Sequence, residues 1–186
     1  MRKNFGAKPF LYPQLVMVLA SYGEDGTPDA MNAAWGGIAG GDKIFLCLSA
    51  EHRTVANILH RKAFTVSVAD EAHLVEADYV GLVSGNEVPD NLARSGFHVT
   101  KSAFVDAPVI DELPLALECR LLRYDPDSHL MLGEIVNAGA DEAVLNEAGM
   151  IDPAKLKPIT FDPANGAYWS LGEKVGNAFA DGNKLK

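Results

Sequence analysis

Cysteine, positive charge and long apolar runs are all scarce in this chain. Only Cys47 and Cys119 occur among 186 residues. They form no CxxC pair and no cluster with histidine, so neither a secreted disulfide framework nor a thiolate zinc site is encoded. Reduced, buried thiols are the ordinary reading. The 16 Lys and Arg are outnumbered by 25 Asp and Glu, giving a net charge of −9. No basic run exists, which argues against a nucleic-acid partner, because phosphate backbones are held by dense Lys and Arg. A small anionic ligand is not excluded, since a few local donors outweigh a distant net charge. Approach of an anionic nicotinamide cofactor would be slightly opposed, and salt would screen the effect.

The apolar stretch in MRKNFGAKPFLYPQLVMVLAS is short and interrupted by Pro13 and Gln14. It argues against a signal peptide or a membrane span, and the cytoplasm is the expected compartment. Common motifs are missing as well. No GxGxxG opens a helix after a strand, and no GxxxxGK[ST], HExxH or GxSxG occurs. Those absences remove a Rossmann site, a P-loop, a zincin and a nucleophile elbow. The 5 histidines are scattered without ligand spacing.

What is present is an ordinary globular composition, 48% hydrophobic and 22% charged. A chain of this length buries about 70% of its unfolded surface and needs neither disulfides nor a structural metal. No linker, repeat or low-complexity segment divides residues 1–186, which predicts one domain.

Residues Gln14 to Tyr22 (QLVMVLASY) predict a strand. The turn Glu24-Asp25-Gly26-Thr27-Pro28 leads to a second extended segment from Asp29 to about Ala39. Lys43 to Ser49 predicts a third strand. In Thr54–Arg61, Val55, Ile58 and Leu59 fall on one helical face. Ala63–Ala69 reads as a buried strand, His73–Val83 as a helix, and Pro89–Ser95 as a short helix ended by Gly96. Leu115–Tyr124 and Leu130–Ala138 are strands joined by Asp125-Pro126-Asp127-Ser128, which is hairpin material. A short strand begins at Ile159, followed by aromatics and glycines. This order is no regular βα series, so an antiparallel barrel with helical insertions is expected rather than a doubly wound sheet.

Four segments can carry chemistry. Ser49-Ala50-Glu51-His52-Arg53-Thr54 runs from a strand into a helix, whose N-terminus exposes unpaired N–H groups and a partial positive charge. With Ser49, Arg53 and Thr54 alongside, it suits a phosphate. Taken alone, the segment reads more simply as Ser49 or Thr54 capping the helix with Arg53 facing water. In Asn32-Ala33-Ala34-Trp35-Gly36, small residues allow a flat ligand to approach the backbone closely, although a bulged strand with a core tryptophan reads the same way. Tyr79, Ser84 and Gly85 sit in a segment that either closes a pocket wall or simply ends a helix. His129, before the strand LMLGEIV, either donates to a ring edge and titrates near neutrality or is a plain hairpin residue.

Taken together, MNAAWGGIAG, KIFLCLSAEHRT, AFTVSVAD, DYVGLVSG, HVTKSAFVDAPVIDELPLALECRL, HLMLGEIVNAG and MIDPAKLKPITFD resemble the flavoredoxin and flavin reductase-like family in order and spacing. The resemblance implies a mainly β, antiparallel Greek-key split barrel with short helices, assembled as a homodimer with one FMN per subunit. It implies that electrons pass from NAD(P)H to flavin, or, as in a flavoredoxin, from a redox partner protein. Asn32, Ala33, Ala34, Trp35 and Gly36 would line the flavin ring. Cys47, Leu48 and Ser49 would run beneath the ring and ribityl chain. Arg53 and Thr54 would take the phosphate, with Lys101 as a further cation. Tyr79, Ser84 and Gly85 match a wall of the site, and His129 matches a position at the reactive face, where it is the catalytic candidate. Two departures stand out. Asp90-Asn91 replaces the aspartate–lysine of many relatives, and Ala39-Gly40-Gly41-Asp42 replaces their proline-containing loop.

Overall fold

In the computed structural model, which describes residues 1–186, the run QLVMVLASY is two strands, β1 (Gln14–Leu15) and β2 (Met17–Tyr22). They part at Val16, whose N–H donates to the Ile159 carbonyl and whose carbonyl accepts from Ala69, each at 3.1 Å. The chain changes sheets there: β1 belongs to a three-stranded sheet and β2 to a seven-stranded one. The expected segment from Asp29 to Ala39 is likewise divided, into β3 (Pro28–Ala33) and β4 (Gly36–Ile38). Then follow β5 (Lys43–Cys47), α1 (Arg53–Arg61) and β6 (Ala63–Val68). Helices α2 (Leu74–Leu82) and α3 (Asn91–Ser95) come next. A small hairpin, β7 (Val99–Lys101) and β8 (Pro108–Ile110), was not expected, its strands being too short to show a period. The long hairpin is β9 (Leu115–Asp125) and β10 (Leu130–Ala140). After α4 (Pro153–Leu156), β11 (Ile159–Asp162) and β12 (Ala167–Ser170) complete the sheet begun by β1. No helix is long and apolar enough to cross a membrane.

The seven-stranded sheet runs β3-β2-β6-β9-β10-β5-β4, every neighbour antiparallel. Its two edges, β3 and β4, are consecutive in the chain and joined only by Ala34 and Trp35. A flat sheet of this width would hold its edges ~29 Å apart at ~4.8 Å per strand. The joining residues reach only ~11 Å from Ala33 to Gly36 at ~3.8 Å per step. The sheet must therefore curl into a barrel, split along the β3–β4 seam, which is the Greek-key split barrel expected from the sequence.

Curling gives β2 a core on each face. Met17 and Leu19 point inward to Ile44, Leu46, Phe64 and Met131. Val16, Val18 and Ala20 point outward to Ala30, to Ala77 and Val80 of α2, and to Leu92 of α3. Along α1, Val55 and Ile58 are buried in the inner core, as the helical stripe predicted. The helix ends on Lys62, whose left-handed φ of +59° lets its N–H reach the Ile58 carbonyl.

Candidate functional site

Helix α1 begins without a cap. His52, at its N-cap, is extended, makes no side-chain capping bond, and no acidic residue follows in the first turn. The Ser49 hydroxyl accepts from the Glu51 N–H at 3.4 Å instead, and the Thr54 hydroxyl donates to Asp29 Oδ2 at 2.5 Å. The capping alternative for Ser49 and Thr54 therefore falls. The backbone N–H groups of Arg53 and Thr54 make no backbone bond, so the positive end of the helix stays available to an anion.

That end opens into a cavity of about 330 Å³. Asn32 and Ala33 of β3 and Trp35 of the crossing form one wall, with Cys47 and Leu48 from the end of β5. Arg53 and Thr54 form the helix end, and Ser84 and Gly85 the loop after α2. Arg53 Nη1 donates to the Gly85 carbonyl at 2.9 Å, and Asn86 Nδ2 donates to the Glu51 carbonyl at 2.9 Å. These two bonds tie the loop to the start of α1.

Two glycines allow the walls to meet. A Cβ on Gly81 would lie 2.3 Å from Asn32 Nδ2, and one on Gly85 would lie 2.0 Å from Asp29 Oδ1. With Gly81 in place, Asn32 lies across α2 and donates to the Ala77 carbonyl at 3.1 Å.

Asp29 is fully buried behind this wall. Burial raises its pKa, while the Thr54 hydroxyl and the Arg53 charge oppose the rise. On the far side of Asn32–Trp35 a second cavity of about 190 Å³ is lined by Ala34, Phe161 and Tyr168. The Tyr168 hydroxyl donates to Asp78 Oδ1 at 2.6 Å, and burial, then Asp78, pushes its pKa up to about 12. No three His, Cys, Asp or Glu side chains gather as a metal site.

Other residues named from the sequence lie elsewhere. Gly36 is within β4 against Leu46 and Phe45, and Tyr79 packs on the outer core. Ser49 occupies the turn before α1 and is not part of the cavity wall. Lys101, on β7, pairs with Asp106 at 3.1 Å, which occupies its charge away from the cavity. His129 is exposed at the tip of the β9–β10 hairpin with a left-handed φ of +59°. Its carbonyl accepts from the Leu48 N–H at 2.8 Å, so the hairpin is tied to the wall through backbone and not through the ring. Gly81, one of the glycines of the DYVGLVSG segment expected to close a wall, lines the cavity, whereas the sequence reading missed His52, which also lines it, and Asp29 behind the wall. His52 was visible beside Arg53 at the helix start. Asp29 read only as the residue after a turn.

Residues 10–160 match the family model described as flavin reductase like domain. A curated relative, an uncharacterized protein of Aquifex aeolicus (strain VF5), is 32% identical over 111 residues, covering 57% of this chain. The match spans about half of that relative, 55% of its length. Among solved structures, the flavoredoxin of Desulfovibrio vulgaris (Miyazaki F) is 34% identical, with a TM-score of 0.93 over 98% of this chain and 100% of its own. The flavoredoxin from Methanosarcina acetivorans is 26% identical, with a TM-score of 0.90 over 100% of both chains. An FMN-binding domain of a flavin reductases-like enzyme from Shewanella baltica OS155 is 22% identical and shares the fold, with a TM-score of 0.78 over 88% of this chain and 89% of its own. With the family model spanning most of the barrel and the walls of the cavity, this chain belongs to the flavin reductase-like family.

Proposed function

We propose that the cavity at the start of α1 holds FMN and that the protein passes electrons through it as a flavin reductase supplied by NAD(P)H. The observation that carries the reading is the uncapped N-terminus of α1, with Arg53 beside it, opening into a cavity floored by small residues and backbone. A phosphate monoester fits that end: two free N–H groups, a guanidinium, and no acid in the first turn. A flat ring fits the other end, where Ala33 and the neighbouring backbone leave room for close approach beside Trp35.

Bound there, FMN supplies a redox centre that accepts electrons from one partner and gives them to another. The chain's own part is to bind, orient and shield. Arg53 would pair with the phosphate by charge-assisted bonds. Asn32, held by the Ala77 carbonyl, would present its amide oxygen from a fixed position. Leu48 and Cys47 would support the ring and ribityl chain. Trp35 and Leu82 form an apolar rim that is 40% and 75% exposed. About 330 Å³ lies near the lower end of ligand sites, so the reading includes a second copy of the chain covering that rim as a homodimer. His129, exposed on the hairpin tied to Leu48, is the titratable group proposed to meet a ring edge from the solvent side. Lys101, paired with Asp106, has no part in it. The cytoplasm as compartment belongs to the same proposal.

A second reading is a flavoredoxin-type carrier reduced by another protein, favoured by whole-chain similarity to two flavoredoxins. Adding NADH or NADPH to the FMN-loaded protein without oxygen separates them. Loss of the visible flavin band within seconds supports the reductase; loss only with dithionite supports the carrier. A protein that takes up no FMN contradicts both.

A further inference from the structure

The buried carboxylate of Asp29 stands directly behind the phosphate end of the cavity and has an unfinished hydrogen-bond set. Its Oδ2 accepts the Thr54 hydroxyl at 2.5 Å, and its Oδ1 is buried with no partner. Gly85 closes over Oδ1 so tightly that a Cβ there would lie 2.0 Å away. From α1 the groups facing Asp29 are Arg53 and Thr54, with His52 just before the helix. From α3 comes Asn91, whose Nδ2 donates to the Ala30 carbonyl at 2.8 Å and whose Oδ1 is also buried without a partner. Arg53 is the one Lys or Arg on the cavity wall.

This arrangement conflicts with a bound dianion in two ways. The Thr54 proton points at Asp29, so Thr54 offers a phosphate lone pairs and not a donor. Arg53 already stands near the carboxylates of Asp29 and Asp25, and a dianion would add two negative charges to theirs. Like charges brought together in a buried site drive one of them to protonate. Of the two, the carboxylate is the buried group, and its pKa is already raised by burial.

We propose that Asp29 takes up a proton from solvent when a phosphate dianion binds at Arg53, and that Thr54, released from the carboxylate, turns its hydroxyl to donate to the phosphate. Asp29 is then a positioning residue acting through Thr54, and it makes cofactor binding depend on pH. The proton balance is simple: one proton leaves solvent for Asp29, Thr54 keeps its own, and no covalent bond changes. The inference rests on the reading that FMN places its phosphate at this helix end.

Calorimetric titration with FMN near pH ~8, in two buffers of different ionisation enthalpy, counts the protons taken up. A free phosphate monoester is already a dianion there, its second pKa being ~6, so it supplies none. The expected result is about one proton per FMN, with affinity falling ~10-fold per pH unit as pH rises through the window of linkage. Asp29→Asn should abolish the uptake and flatten the pH profile. His52→Gln should retain the uptake, and riboflavin, which lacks the phosphate, should show none. FMN binding without proton uptake, or equal uptake in wild type and Asp29→Asn, overturns the coupling and leaves the FMN reading standing. A wild-type protein that binds no FMN overturns both.

Discussion

The inner core of β2 and the part of the outer core that lies beneath α2 are built from side chains of different size, and the difference separates stability from function. Inside the barrel, Leu19, Leu46, Phe64 and Met131 are fully buried and fill the space between strands that face one another across it. Outside, beneath α2, the contacts are Ala20, Ala30, Ala77 and Val80. Small residues there let the helix lie close to β3, and Gly81 and Gly85 then bring backbone against Asn32 and Asp29. Interior bulk sets how firmly the barrel stands. Exterior smallness sets how near the cavity walls come. The two layers share a strand, but substitution in each should have a different consequence.

The strongest separation should come from Phe64→Ala in the inner core, expected to cost ~3–5 kcal/mol through lost burial and a cavity. Urea unfolding measures it, and the fraction still folded should bind FMN nearly as well as wild type. A parallel loss of affinity would show that the layers are not separable. Next in size is Gly85→Ala in the outer layer, where the new Cβ meets Asp29 Oδ1 and lies 3.0 Å from Arg53 Cδ. Overpacking of this kind costs ~1–3 kcal/mol, and FMN affinity should fall with it because Arg53 is displaced. Unchanged affinity in a folded Gly85→Ala protein would break the assignment of this wall to the cofactor.

Acid sharpens the comparison further. Asp162, the last residue of β11, accepts from Asn165, from the Tyr12 hydroxyl and from the Ala164 N–H, and these bonds, with the Asn165 side chain first, lower its pKa to about 2. Its contribution to stability is present above the ordinary carboxylate value of 3.8 and is lost as pH falls from there toward about 2. Asp29 has the opposite sign. Its raised pKa means that the folded protein binds the proton more tightly than the unfolded chain, so the penalty of burying its charge is relieved as pH falls through the folded value. Asp162→Asn should therefore flatten the acid limb of a thermal melt series, whereas Asp29→Asn should remove a destabilisation seen at higher pH. Matching profiles for the two variants would contradict this opposition of sign.

The smallest effect concerns the two thiols. Cys119 is in the inner core, where burial pushes its pKa up to about 12, while Cys47 is exposed on the cavity wall. A thiol reagent should modify one cysteine in the folded protein, and FMN should slow that reaction. Modification of both would mean that the inner core opens readily.

Much of this division was legible in the sequence. The α1 stripe of Val55 and Ile58, the strand at Ala63–Val68 and the β9–β10 hairpin follow from residue period and turn chemistry, and both the helix start and Arg53 were evident from the same pattern. The breaks at Val16 and at Ala34–Trp35 were not, because nothing local tells a strand where it must change sheets. Closure of the barrel imposes both. Lys101 was named for its charge, which Asp106 takes up, and His129 for its place before a strand, where it stands exposed in a left-handed turn. Asp29 was hidden because its burial comes from α1, α3 and the Gly85 loop, all distant in sequence.

The central claim, that the start of α1 binds the phosphate end of a flavin, is tested most directly by titrating wild type and Arg53→Gln with FMN and with riboflavin. Charge-assisted bonds to a phosphate are worth ~1.5–3 kcal/mol, so Arg53→Gln should weaken FMN binding ~10- to 100-fold. Riboflavin, lacking the phosphate, should bind both proteins alike. Equal loss for the two ligands, or no loss for FMN, would contradict the claim.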